Sequence, residues 1–256
     1  MTTQTATERH ASPERRRKLG KLIRLAPRPL WREALRRHRV AAAVEQGDVA
    51  FERDHRTVVD VGAHHGQFAL FAAERFPGAS LHCVEALPDA QALLEKVIEP
   101  LPRKRIHRVA AAGEEGTRTF HVSRLDDSSS LLPIGRRYTS AWPGTEQADE
   151  IEVRTARLDD VLELDSLERP LLLKIDVQGA ELEVLRGAER LLELADEVFL
   201  EASFMEFYSG QALAGEVIAH LHGRGFELSG VFGMKRDRAG RCLQADLLFG
   251  RAGATG

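Results

Sequence analysis

From residue 57 onward, short apolar runs alternate with longer stretches of helical period, the pattern of a mostly parallel sheet covered on both faces. Seven runs read as strands: Thr57–Val61 (TVVDV), 80–85 (SLHCVE), 105–111, 171–176 (LLLKID), 197–202, 226–232 and 243–249. Helices are predicted over 67–76, 89–98, 180–194 and 211–224. In the first of these Phe68, Phe71 and Ala72 face the sheet, and Pro77 with Gly78 ends it. In the third, Val184, Ala188, Leu191 and Ala195 keep one face apolar. A turn over 236–240 makes the last two strands an antiparallel hairpin at the edge. The expected fold class is α/β: a doubly wound, mostly parallel, Rossmann-like seven-stranded sheet with that hairpin and a helical N-terminal extension.

The middle of the chain is less regular. Residues 117–122 and 150–155 read as paired or edge strands around a polar loop that holds Asp126, Asp127, Ser128, Ser129, Ser130 and Trp142. A loop of this length in a compact domain is a lid or binding loop, with disorder as the alternative. Before the sheet, residues 18–46 suggest a helix interrupted by Pro27 and Pro29, with Leu19, Leu22, Ile23, Leu30, Leu35 and Val40 to bury. The organisation expected is a basic tail over 1–17, a helical extension over 18–52 and a single domain over 53–251.

Composition adds little to this except in charge. Of 256 residues, 43% are hydrophobic and 29% charged, which argues against a disordered chain. No apolar run reaches the length of a membrane span, and residues 1–9 lack a secretory signal, so a cytoplasmic protein with no membrane partner is expected. Cys83 and Cys242 sit in strands as small buried hydrophobes, with no ligand spacing for a metal. The net charge of −3 hides an asymmetry: residues 1–40 hold twelve Lys and Arg against three Glu, a surplus of nine, which leaves the remainder at −12. Such an arm suits RNA, an anionic lipid surface or an acidic substrate, but packing of its helical part on an acidic domain is the plainer reading.

The segment Val58-Val59-Asp60-Val61-Gly62-Ala63-His64-His65-Gly66 places glycines where a strand turns sharply into a helix and backbone approaches a ligand. Glu85 ends the next strand 19 positions after Gly66, close to the spacing at which an acid meets ribose hydroxyls. Dinucleotide sites want a glycine where Ala63-His64 stands, so the turn counts against NAD. Asp60 would repel a pyrophosphate and suits a ligand with an amino group and a sulfonium, as in S-adenosylmethionine. A carboxylate directly after the apolar strand, Asp176, lies where open α/β sheets bind ligands, and its distance from Ala180 makes a helix-capping role less natural.

Four segments resemble the FkbM family of S-adenosylmethionine-dependent methyltransferases: 58–66 (VVDVGAHHG), Leu158–Val161 (LDDV), 172–187 (LLKIDVQGAELEVLRG) and 201–210 (EASFMEFYSG). The resemblance spans about residues 57–250, and 172–187 is its most specific part. It implies a class I methyltransferase fold over the 53–251 domain, S-adenosylmethionine as cofactor, and methylation of a hydroxyl on a polyketide, sugar or other small metabolite or glycan. Asp60, Gly62, Ala63, Gly66 and Glu85 would hold the cofactor, with His64, Phe68, Ala86, Ala111 and Asp176 completing its site. One departure is Gln178, where the family usually carries glutamate. Candidate bases are Asp176, His65, Glu201 and, more remotely, His121, since a positioned base typically adds ~10²–10⁴-fold to attack by a hydroxyl. Ser129, Ser130, Trp142, Phe204 and Tyr208 are the candidates for shaping the acceptor pocket, with ordinary loop packing their alternative.

Asp176 and Glu201 are the carboxylates a divalent cation would use, yet two acids alone are weak evidence for metal. Metal need and homo-oligomeric state stay open at this level. Three rival functions are an NAD-linked oxidoreductase, a non-catalytic adenosine-binding module and an RNA methyltransferase that uses the basic arm. The last would want aromatic residues among the basic ones, and Trp31 alone is there, so nucleic acid is the less favoured partner.

Overall fold

Thr57–Val61 is a strand whose five residues are all buried, three of them valines that pack well on a pleated surface. Parallel partners flank it on both sides, so its hydrogen bonds and both its faces are satisfied inside the protein. The structure, a computed structural model, describes residues 28–253. The basic tail expected over 1–17 and the front of the 18–52 extension lie outside these described residues.

Helix α1 (Pro29–His38) and a 3-10 turn (Val44–Asp48) precede β1 (Thr57–Val61), α2 (Gln67–Arg75), β2 (Ser80–Val84), α3 (Pro88–Ile98) and β3 (Lys104–His107). An excursion follows through β4 (Ala110–Ala111), β5 (Gly116–Ser123), a 3-10 turn (Asp126–Ser128), α4 (Arg136–Ala141) and β6 (Gln147–Ala156). The chain returns by α5 (Leu158–Val161) to β7 (Leu171–Ile175), α6 (Glu181–Arg186), α7 (Glu189–Leu194), β8 (Glu197–Ser203), α8 (Ala214–His222), β9 (Phe226–Arg236) and β10 (Cys242–Arg251). The seven-stranded sheet has the order β3-β2-β1-β7-β8-β10-β9, parallel except for β10, which runs antiparallel between β8 and β9.

Both faces of this sheet are covered, as the apolar runs require. Leu171, Leu173 and Ile175 join a core with Val184, Leu191 and Val217 of α6, α7 and α8. Leu172 points the other way, into a core with Phe68, Phe71 and Leu94 of α2 and α3. Full burial of each such side chain contributes about 1.5–3 kcal/mol. The extension completes the second core: Trp31 is buried and its indole N–H donates to the Leu70 carbonyl at 2.9 Å. Within the described part of the helix anticipated over 18–46, Pro29–His38 is helical and Arg39, at φ +60°, ends it, although Val40 still packs inside.

Two expected elements are split. The strand read over 105–111 becomes β3 and β4, which belong to different sheets: β3 pairs with β2, whereas Ala110 and Ala111 pair with Thr155 and Ala156 of β6. β5 joins β6 antiparallel, which completes a three-stranded sheet. The helix read over 180–194 becomes α6 and α7, broken at Gly187, where a Cβ would stand 2.0 Å from the Ala112 carbonyl oxygen. Asp159 of the LDDV segment, buried, then accepts from the backbone N–H of Arg190 and Leu191 at 3.0 and 2.9 Å and caps α7 from a distance. Gly187→Ala is therefore expected to destabilise by about 2–3 kcal/mol, a fall in Tm of roughly 5–10 °C by calorimetry. An unchanged Tm would mean the α5–α7 junction tolerates the methyl group.

Candidate functional site

The chain runs out from β1 to one side of the sheet and returns through β7 on the other, so the crevice beyond the carboxyl ends of these two strands is the switch point. Gly62 follows β1 with φ +74°, and a Cβ there would lie 1.9 Å from the carbonyl oxygen of Asp176. Backbone of the turn thus touches backbone at the end of β7, which only glycine allows. His64 also takes a positive φ, +48°, and Gly66 starts α2 against Leu94, Val97 and Ile98.

Glu85 follows β2 and is 6% exposed. Its Oε2 accepts from the His64 N–H at 2.7 Å and its Oε1 from the Leu87 N–H at 2.8 Å. Burial raises its pKa, against the pull of those two amides. The acid is thereby fixed at the rim of the glycine turn, with a second lone pair on each oxygen.

A cleft of about 550 Å³ opens from this turn. Its end at the turn is walled by Gly62, Ala63, His64, Glu85, Ala86, Leu87, Ala110 and Ala111, with Phe68 also lining it. The far end carries Asp176, Gln178, Glu201, Lys235 and Asp246 from four strand ends, roofed by Ser128, Ser129 and Tyr138 of the β5–β6 loop. That loop, read as a lid or disordered, is a packed cover: Tyr138 is buried and its hydroxyl meets Ser128 Oγ at 3.1 Å.

Several residues singled out in the sequence lie off this wall. Asp60 is buried beneath the turn, where its Oδ1 pairs with Lys174 Nζ at 2.8 Å. Lys174 stands in the cleft instead and also donates to the Gly62 carbonyl at 3.2 Å. Burial drives the Lys174 pKa down, but the neighbouring Asp60 and Asp176 carboxylates outweigh this and hold it above its ordinary value. The signal for Lys174 was a single cation inside an apolar strand, which must find a buried anion. Gly66 packs under α3. His65 stacks on His64, ring centroids 3.7 Å apart, and its N–H donates to Gln67 Oε1. His121 is on β5 beside Gln147 and Glu150. Trp142 packs on Tyr138 and Phe207, and Phe204 is 38% exposed away from the cleft. Ser130 and Tyr208 are buried behind the wall: Ser130 Oγ donates to the Gln178 carbonyl at 2.7 Å, and the Tyr208 hydroxyl reaches the Ser128 carbonyl at 2.9 Å.

Around Glu201 the acids are dense. Its Oε1 accepts from Lys235 at 2.7 Å and its Oε2 from Gln244 at 2.8 Å. Burial and then the Asp176 charge push the Glu201 pKa up to about 7, with Lys235 opposing. Burial likewise lifts Glu181 to about 7 and Asp246 to about 6. Glu181, expected as an ordinary first-turn charge, is buried and its Oε1 accepts from the Gly179 and Val177 N–H groups, which fixes the loop after β7. Among the described residues no group of three or more His, Cys, Asp or Glu is arranged to hold a metal ion.

These raised values set the sign of a pH effect. Glu201 binds its proton more tightly folded than unfolded, so its stabilising share is complete below about 4.5 and is lost as pH rises through about 7. Glu201→Gln is expected to flatten the fall in Tm between pH 5 and 8, read by calorimetry. A variant whose Tm falls as steeply as the parent's would take Glu201 out of that role.

Residues 60–228 match the family described as Methyltransferase FkbM domain. The chain is 31% identical over 166 residues to 2-O-methyltransferase NoeI of Sinorhizobium fredii, covering 62% of this chain and 68% of that protein. It is 30% identical over 203 residues to 31-O-demethyl-FK506 methyltransferase FkbM of Streptomyces tacrolimicus, covering 70% and 73% respectively. Methyltransferase FkbM from Methylobacillus flagellatus superposes with a TM-score of 0.53 at 17% identity, covering 91% of this chain, which spans 59% of that longer chain.

Proposed function

We infer, from the premise that this chain belongs to the FkbM family of methyltransferases, that it methylates a hydroxyl oxygen of a small molecule or glycan, with Asp176 receiving the hydroxyl proton. The family brings S-adenosylmethionine as methyl donor. The residues present suit that group: Glu85 offers a lone pair on each oxygen to a ribose diol, Gly62 leaves room for close approach, and Ala86, Leu87, Ala110 and Ala111 make an apolar slot. Once bound, it supplies an electrophilic methyl on a cationic sulfur.

The observation that carries the role of Asp176 is the distribution of hydrogen bonds between the two acids. Glu201 accepts from Lys235 and Gln244, so both its oxygens are engaged. Asp176 accepts from Gln178 Nε2 at 2.7 Å through Oδ1, and its Oδ2 takes no hydrogen bond from the described residues. That oxygen is the one able to accept a proton from an alcohol in the cleft, while Glu201 anchors Lys235. Ser128, Ser129 and Tyr138 line the cleft above these acids, and alignment with one proton transfer are the tasks left to the protein.

The reading is tested by incubating the chain with methyl-deuterated S-adenosylmethionine and a panel of hydroxylated, amino and thiol acceptors, followed by mass spectrometry. A deuterated methyl ether is expected. Transfer confined to nitrogen or sulfur would overturn the oxygen assignment, and failure to bind S-adenosylhomocysteine in calorimetry would overturn the assigned cofactor site.

A further inference from the structure

We propose that Gln178 is a positioning residue whose side-chain amide, seated against two tyrosines, links Asp176 to Glu201 and favours the anionic form of Asp176 in the cleft. The inference rests on the role given to Asp176 above. Gln178 sits at φ +56°, an uncommon conformation for a side-chain-bearing residue, and Gly179 follows at φ +102° with the Tyr208 ring against it. The backbone is fixed there by Ser130 and Glu181, which bond to the Gln178 carbonyl and the Gly179 N–H.

The side chain has chemically distinct ends. Nε2 lies 2.7 Å from Asp176 Oδ1 and 3.5 Å from Glu201 Oε2. Carboxylates only accept, so this end must be the NH₂ group. Oε1 lies 3.0 Å from the Tyr208 hydroxyl and 3.3 Å from the Tyr138 hydroxyl, whose single protons are shared between this oxygen and the carbonyl and Oγ of Ser128. The amide therefore has one sensible orientation, and it directs two N–H dipoles at two acids. Glutamate in this place could accept from the tyrosines but would set a third anion between Asp176 and Glu201.

Charges facing this cluster come from every side. Lys174 lies behind Asp176 on β7 with Asp60 of β1, and Lys235 of β9 pairs with Glu201. Asp246 of β10 and Glu181 of α6 add negative charge, and both feel Asp176. The two cations already have partners in Asp60 and Glu201, so the amide is what answers the Asp176 Oδ1 charge directly.

The test compares kcat–pH profiles of the full chain and of Gln178→Ala and Gln178→Glu, each shown by calorimetry to bind S-adenosylhomocysteine with near-parental affinity. Loss of a hydrogen bond to a charged carboxylate, or gain of a like charge, raises its pKa by about 1–3 units. The ascending limb of the profile is expected to move to higher pH in both variants, further in Gln178→Glu, with kcat at neutral pH down about tenfold for each unit. A packing role alone would lower kcat without moving the limb, so a parental limb in either variant overturns the proposal. Carboxyl carbon titration by NMR on the chain saturated with S-adenosylhomocysteine gives a second readout that needs no acceptor. There, Asp176 and Glu201 titrating as in the parent overturn the link, whereas an absence of methyl ether in the assay above speaks only against the oxygen reading.

Discussion

Asp176→Asn is expected to lower kcat by ~10²–10⁴-fold while the affinity for S-adenosylhomocysteine changes by less than about threefold. The asparagine carbonyl can still accept from Gln178 Nε2, so the bond that holds the side chain survives. What is lost is the anionic oxygen at Oδ2, the proton acceptor proposed above. Steady-state turnover set beside calorimetric binding separates these terms. A variant that keeps kcat would show that proximity alone drives transfer, and the base would have to be sought elsewhere. Glu201→Gln offers the contrast: its oxygens already serve Lys235 and Gln244, so turnover there should fall less steeply than in Asp176→Asn.

The second large effect belongs to Glu85. Glu85→Ala is expected to weaken S-adenosylhomocysteine binding by ~10²–10⁴-fold, because two hydrogen bonds to a charged acceptor are worth about 1.5–3 kcal/mol each. The same change removes the acceptor for the His64 and Leu87 amides, so the turn after β1 would lose part of its shape even without ligand. Glu85→Gln keeps an acceptor for one amide only and should fall between the two. Affinity unchanged in Glu85→Ala would place the ribose elsewhere, and the assignment of this end of the cleft would fail with it.

Much of this architecture is legible in the chain. Strands buried on both faces must be apolar throughout, and β1, β2, β7 and β8 lie within two residues of their expected bounds. The hairpin was legible too, from two apolar runs around the turn expected over 236–240, one residue from where it lies. What could not be read was decided by contacts between distant segments. Gly187 breaks a helix because Ala112 lies against it, and nothing local to 180–194 reveals that. Ala110 and Ala111 leave the main sheet because β6, some 45 residues on, offers them a partner.

At the site the same division holds. Gly62 and Glu85 follow from the strand-turn-helix grammar, and they do lie together on the cleft wall. Asp60 looked like a cofactor contact because the sequence does not show that Lys174, 114 positions later, would take its charge. Trp142 and Phe204 were reasonable acceptor contacts by residue type, yet one packs on Tyr138 and Phe207 and the other faces outward. Tyr138 and Ser128, which do roof the cleft, carry no signal beyond lying in the same polar loop.

The placement of β10 has a bearing on how this enzyme is made. Gln244 and Asp246 ride on a strand that slots between β8 and β9, opposite Ser203 and Glu201 more than forty residues earlier. The turn assigned above to the cofactor is built from β1 and β2, neighbours in sequence, and has no need of that late arrival. During synthesis the proposed cofactor niche would thus form ahead of the cluster around Glu201, whose completion waits on the slower, long-range pairing of β10.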